Sequence, residues 1–282
     1  MELDLGTGFR DVDRVADAAP VVDHLDGLGS FAQVHDAKRE RDRRLARPGA
    51  HVLDVGCGTG EDPRAMGALV GPGGRVVGLD SSGRLLAVAR ERTGPRHGPL
   101  EWVHGDAQRL PFGDGEFDAA RVERVLMHVA DPARVVAEMA GVVRPGGRVM
   151  AVEPDWATLL VDIDPEAARA VTDAATAQLR HPWVGGGLYR LLTAAGLDEV
   201  TVGAETVALV DPLLVPGFER TKRALAHRAQ GTGPAAQRAA LATQALSDVA
   251  DGPCFAALTL FIAEGLASRR DGGRTAGARA RA

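Results

Sequence analysis

The chain has 282 residues, 45% of them hydrophobic and 25% charged, with a formal net charge of −5. That size and balance suit one large α/β domain or a core domain carrying an insert, and exclude a fibrous repeat or a wholly disordered chain. The acidic total argues against tracking along nucleic-acid phosphates, no apolar run approaches the roughly 18 to 20 residues of a membrane helix, and the two cysteines are too few for a disulfide framework or a zinc cluster.

Taken in order, residues 21–47 read as one or two helices, and the charges from Lys38 to Arg44 read as a solvated helix face. Five β-rich runs follow at 51–55, 75–79, 100–104, 117–122 and 148–153, with helical patterns between them, which is the rhythm of a parallel sheet with crossover helices. Gly71-Pro72-Gly73-Gly74 and Arg144-Pro145-Gly146-Gly147 stop a helix and feed the next strand, because proline cannot continue a helix and glycine accepts positive φ. Beyond them, 164–179 and 188–195 read as helices, 199–209 as a strand, 212–229 and 235–248 as two more helices, and 255–263 as a final strand. Four parts are expected. Residues 1–48 form a helical segment covering the cleft, 49–210 with 253–267 form the core, 211–252 form a helical lid, and 268–282 form a disordered tail of Gly, Ala and Arg.

Val52-Leu53-Asp54-Val55-Gly56-Cys57-Gly58-Thr59-Gly60 is a strand running into a glycine-rich turn that opens a helix, where bare peptide groups can meet a ligand. Twenty residues beyond Gly60 stands Asp80, at the end of the second strand, where a carboxylate can accept both hydroxyls of a ribose. The turn lacks the lysine of a triphosphate-binding loop.

Together with Gly105-Asp106-Ala107-Gln108-Arg109-Leu110-Pro111-Phe112, Phe117-Asp118, Leu126-Met127-His128-Val129 and the Arg-Pro-Gly-Gly turn, these segments resemble, in order, the motifs of the class I S-adenosylmethionine-dependent methyltransferases. The likeness is strongest to the small-molecule branch that includes ubiquinone and menaquinone methyltransferases and natural-product enzymes. It implies a Rossmann-like α/β fold, a seven-stranded mostly parallel sheet with helices on both faces and a helical lid insertion. It also implies S-adenosyl-L-methionine as cofactor and no metal. By that resemblance Gly56, Cys57, Gly58, Thr59 and Gly60 pack against the methionine part, and Asp54 orients its amino group. Asp80 and Ser81 hold the ribose, Gly105, Asp106 and Ala107 read the adenine, and Glu123 with Arg124 lies near the methionine carboxylate.

The sulfonium supplies the reactivity in such enzymes, so the protein has mainly to align the acceptor and keep out water. His128 is the best-placed general base, with Asp155 and Glu153 as further catalytic candidates at the end of the fifth strand. Trp156, Trp183, Tyr189 and His227 are candidates for the substrate pocket. The expectation is therefore a cytoplasmic enzyme of secondary metabolism that methylates a small molecule. It needs no nucleic acid or membrane, and homodimerisation is left open. The alternative is a protein of the same fold that binds the cofactor but catalyses a non-methylating reaction or regulates a partner.

Overall fold

The structure is a computed structural model that describes residues 12–14, 17–29, 32–94, 98–177, 179–209, 218–248 and 255–268. Seven strands, β1 (His51–Val55), β2 (Arg75–Asp80), β3 (Leu100–His104), β4 (Phe117–Glu123), β5 (Val143–Val161), β6 (Leu197–Leu209) and β7 (Ala256–Ala267), form one sheet in the order β3-β2-β1-β4-β5-β7-β6. β7 runs antiparallel between β5 and β6, and the pairings from β3 to β5 are parallel. β1 reads as a nearly unbroken apolar run because it is central and covered on both faces; only its first residue is exposed. Strand order reverses between β1 and its two neighbours, β2 and β4. That opens a crevice at the carboxyl ends, the place where ligands sit in open α/β sheets.

Local chemistry starts the helices where they start. Asp131 accepts from the Arg134 N–H ahead of Pro132 in α5 (Pro132–Val142). Asp164 accepts from Glu166 and Ala167 ahead of Pro165 in α6 (Pro165–Thr176). Ser82 caps α4 (Gly83–Glu91) through the Leu85 N–H. On one face of the sheet α5 and α7 (Leu188–Ala194) bury Val135, Met139, Leu188 and Leu192 against Leu53, Ala120 and Val149. On the other face α2 (Ala32–Leu45) and α3 (Glu61–Val70) bury Leu45, Met66 and Val70 against Val52, Val76 and Met150. α1 (Ala19–Gly29) packs Val21 and Leu25 with Val12 and Leu85.

Two differences from the sequence reading bear on the site. β5 does not stop at Glu153 but continues to Val161, paired along β7, and its far end carries a separate small core. In that core α8 (Phe218–Ala229) and α9 (Pro234–Asp248) pack with α6, because Ala167, Ala170, Val171 and Ala174 line one stripe of α6. The expected lid over 211–252 thus has its described helices joined by a third that precedes β6. The second difference is α2. Its charge run is a solvated face only in part: Arg39, Glu40, Arg43 and Arg44 are exposed, but Lys38, Arg41 and Asp42 are buried, since the helix lies on charged groups of β4. The expected tail, beyond Ser268, lies outside the described residues. Among the described residues no helix is long and apolar enough to cross a membrane, and no cluster of three or more His, Cys, Asp or Glu is arranged for a metal.

Candidate active site

The glycine turn leaves β1 with Gly56 at φ 76° and Gly60 at φ 78°, conformations that L side chains rarely adopt. Space forbids side chains there as well. A Cβ on Gly56 would stand 2.2 Å from Val125, and one on Gly60 2.3 Å from the Trp102 indole. The turn is tied to the next strand by the Gly56 and Cys57 N–H groups, which donate to the Leu79 carbonyl at 2.7 and 3.0 Å. Thr59 and the Cys57 thiol are buried beside it, and burial pushes the thiol pKa up, so Cys57 acts as packing.

Asp80 ends β2 under this turn. Its Oδ2 accepts from the Gly58 N–H and its Oδ1 from the Ser82 N–H, each at 2.8 Å. Each oxygen retains acceptor capacity, so the pair suits two adjacent ribose hydroxyls. Burial raises the Asp80 pKa in spite of those N–H bonds. The Gly105 N–H donates to the Asp80 carbonyl, which brings Gly105, exposed Asp106 and buried Ala107 alongside. The Asp106 Oδ1 is held by the Gln108 N–H at 2.8 Å. Ser81 is exposed, with its carbonyl 2.9 Å from His104 Nε2. Asp13, from the N-terminal turn Val12–Arg14, accepts from Ser82 Oγ and the Gly83 N–H at 2.6 and 2.9 Å, so that turn is fastened to the same strand end. These groups fit the nucleoside half of S-adenosylmethionine: a fixed acid for the diol beside a short-side-chain segment.

At the ends of β1 and β4 the site is ionic. Arg121, 1% exposed, projects from β4 on the face that α2 covers. It bonds Asp42 at 2.9 Å, contacts Asp62 at 3.2 Å and Asp54 at 3.6 Å, and bonds Glu123. Lys38 reaches from α2 to Asp62 at 2.7 Å and Glu123 at 3.9 Å. Burial would raise the Glu123 pKa, but Lys38, Arg121 and Arg124 together hold its carboxylate ionised, below the usual range. Burial wins at Asp54, pushed up to about 8, and at Asp42, pushed up to about 6, although Arg121 opposes it at both. Asp54 therefore faces a guanidinium, a setting its motif alone does not reveal. Sequence reasoning missed Arg121. The available signal was an arginine inside a strand covered on both faces, two residues before Glu123 and so on the same face, together with Lys38 and Asp42 one helical turn apart.

The far end of β5 organises the other wall. Fully buried Glu153 directs Oε1 to the Val125 and Leu126 N–H groups at 2.8 and 2.7 Å, fixing the turn after β4. Arg124, at φ 57°, and half-buried His128 belong to that turn, with the His128 N–H donating to the Val125 carbonyl. Asp155 accepts from the Ala157 N–H through Oδ1 and from the Gly186 N–H through Oδ2, at 3.0 and 2.7 Å. The Trp156 N–H donates to the Pro182 carbonyl. The Arg180 and His181 N–H groups both donate to the Met127 carbonyl, so the 180–187 segment and the turn after β4 form one frame standing on Glu153 and Asp155. Both acids are thus engaged with backbone N–H groups, Glu153 through Oε1 alone and Asp155 through both oxygens.

The four pocket candidates do not converge. Trp156 is half-buried beside this frame, whereas Trp183 and Tyr189 are 63% and 54% exposed and His227 is on the outer face of α8. On α7 and α8 the neighbours Leu188 and Leu225 are the ones buried, because helical spacing turns Tyr189 and His227 outward. A cavity of about 290 Å³ lies elsewhere, at the amino ends of β1 and β4, lined by Arg44, Arg47, Gly49, Asp118, Arg144 and Arg148. It is at the wrong end of the sheet for the cofactor.

A family model described as "Methyltransferase domain" matches residues 53–151. An uncharacterized 37.1 kDa protein in transposon TN4556 of Streptomyces fradiae is 40% identical over 260 residues, 88% of this chain and 72% of that protein. A demethylmenaquinone methyltransferase of Bacillus cytotoxicus is 38% identical over 141 residues, 49% of this chain; the match spans 59% of that enzyme. Among solved structures, the YcgJ protein from Bacillus subtilis aligns with a TM-score of 0.60 at 16% identity, covering 83% of this chain and all of that one. A Bacillus halodurans protein whose structure is described as a putative methyltransferase aligns at 0.59 and 20% identity, covering 83% of this chain and 98% of that one. Those two likenesses concern the fold.

Proposed function

Because the chain belongs to the class I S-adenosylmethionine-dependent methyltransferases, we propose that it transfers the cofactor's methyl group to a small-molecule acceptor, of natural-product or quinone-like kind, by direct in-line displacement. The observation that carries this reading is the Asp80 carboxylate, oriented on both oxygens by backbone N–H groups of the glycine turn and the α4 cap.

When bound, S-adenosylmethionine supplies an electrophilic methyl carbon on a sulfonium, so little further activation is asked of the protein. The chain binds and aligns. Asp80 and Ser81 hold the ribose, Gly105 to Ala107 border the adenine, and Gly56 to Gly60 leave room for the methionine part. Glu123 and Asp54, both held by Arg121, would offer oxygens to the ammonium end. His128, on the turn clamped by Glu153, would accept a proton from the acceptor where its nucleophilic atom carries one. Leu25, packed where a Cβ on Gly58 would lie 3.3 Å away, lets α1 shield the turn from water.

Isothermal titration with S-adenosylhomocysteine tests the cofactor half of the proposal. Wild type is expected to bind it, and Asp80→Ala to weaken binding by about 1 to 3 kcal/mol, the scale of an unpaired charge-assisted hydrogen bond. Absence of binding to wild type overturns the function; equal affinity in the variant overturns the role of Asp80.

A further inference from the structure

Arg41 has a surplus that the cofactor groups do not absorb. Its side chain is 6% exposed, and its Nη1 donates to Glu205 Oε2 on β6 at 2.6 Å, across 164 residues of sequence. The Nε and Nη2 groups, on the other edge of the same guanidinium, are buried and meet no acceptor among the described residues. Leaving two donors of a buried cation unpaired is costly, and a protein keeps such an arrangement most readily where something else completes it.

The position is beside the crevice. α2 runs from the carboxyl ends of the strands, where Lys38 reaches Glu123, down to Leu45 at the cavity by their amino ends. Arg41 lies one turn below Lys38, close enough for its charge to be felt at Glu123. Its partner Glu205 stands opposite Leu260, which stands opposite Pro154, just past the end of β4 in the sheet. The acids of the neighbouring network are engaged: Asp42 with Arg121, Asp62 with Lys38 and Arg121, Glu123 with Lys38 and Arg121. Among the described residues no acid is left over to complete the Arg41 fork. The Nε and Nη2 edge of a guanidinium is a fixed two-donor fork that matches two oxygens of a carboxylate or similar oxyanion.

We propose that the free edge of Arg41 binds a carboxylate or similar oxyanion carried by the methyl acceptor, so that the acceptor is an organic acid methylated at another atom. This rests on the methyl-transfer reading and narrows its substrate class. The same chemistry is carried by the methionine carboxylate of the cofactor, and the test separates the two sources.

Wild type, Arg41→Lys and Arg41→Met, each saturated with S-adenosylhomocysteine, are titrated with benzoate and with benzamide as its neutral match. Benzoate is expected to bind wild type, to bind Arg41→Met at least about tenfold more weakly, and to bind Arg41→Lys at an intermediate level, because lysine keeps the charge and loses the fork. Benzamide should not distinguish the three, and their affinity for S-adenosylhomocysteine should agree within about twofold, since each tenfold corresponds to a whole ion-pair-sized contact. No benzoate binding to wild type, or equal binding to all three, overturns the proposal. It is also overturned, in favour of the cofactor's own carboxylate, if Arg41→Met loses affinity for S-adenosylhomocysteine but not for 5′-methylthioadenosine, which lacks that group. Arg41→Lys keeps the test decisive if Arg41→Met fails to fold. If wild type does not bind S-adenosylhomocysteine, the methyl-transfer reading fails by itself, and the dependence of benzoate binding on Arg41 is then read on the free protein.

Discussion

Glu153, a candidate for the chemistry, holds the turn after β4 in place. Burial pushes its carboxyl up to about 8 from an ordinary value near 4.5, although the N–H groups of Leu126, Val125 and Met127 pull the other way. It is thus a neutral acid in the folded chain at pH 7 and an ionised one when unfolded. A raised folded-state pKa contributes stability below the unfolded value that is lost as pH climbs through the folded one. Here the loss runs from about 4.5 to about 8. Glu153→Gln keeps an acceptor for the Val125 and Leu126 N–H groups without that ionisation, and should stabilise the protein by about 1 to 3 kcal/mol at pH 7. Glu153→Ala leaves those donors unpaired and should destabilise by about 2 to 4 kcal/mol. Urea unfolding at pH 5 and pH 8 decides it. The decline in stability toward pH 8 should be smaller in the Gln variant than in wild type, with the part due to Asp54 left in both; parallel declines would refute the protonated assignment.

At the scale of elements, the part of α2 from Lys38 to Leu45 is attached to the sheet less by apolar area than by charge. Below Lys38, Arg41 and Asp42 its apolar grip is Leu45. Burial pulls the Arg121 pKa down, but Asp62, Glu123, Asp54 and Asp42 outweigh it and raise that pKa well above its ordinary value. Replacing one partner of a buried network leaves the others desolvated and unpaired, which is where such networks are most sensitive. Arg121→Met is expected to cost about 3 to 5 kcal/mol in chemical denaturation and to raise amide exchange in α2 before that in α5, which packs on the opposite face. A loss below about 1 kcal/mol, the size of a surface ion pair, would mean the network does not secure the helix.

Across the whole molecule, two cores of different quality are joined along β5. The sheet is packed by Leu, Val, Met and Phe on both faces, whereas the cluster of α6, α8 and α9 is built largely from alanines: Ala167, Ala170, Ala174, Ala239 and Ala242 with Val161, Val171, Leu225 and Leu246. Alanine buries little area, and hydrophobic stabilisation follows area at about 25 cal/mol per Å². The helical unit should open more readily than the sheet. Hydrogen exchange is expected to show amides of α8 and α9 exchanging at least about a hundredfold faster than those of β1 and β4. Similar protection in both would show one cooperative unit. An opening there would uncover the far end of β5.

What could be read from the chain was whatever its chemistry writes in contiguous residues. The first four strands, the glycine turn at Gly56 to Gly60, Asp80 at the end of β2 and the Gly105-Asp106-Ala107 segment are each local: apolar runs set the strands, positive φ sets the glycines, and strand ends set the acid. The order of those motifs pointed to the methyltransferase domain whose model matches residues 53–151. The residues decided only by tertiary structure are those whose partners lie far away in the chain. Arg121 finds Asp42 across 79 residues, Arg41 finds Glu205 across 164, and Asp155 finds the Gly186 N–H across 31. A charged residue carries no local mark of whether it will be solvated or buried, because that depends on which opposite charge the fold lays over it. For that reason Lys38, Arg41 and Asp42 read as a solvated helix face and turn out to be the buried contact between the N-terminal helix and the sheet.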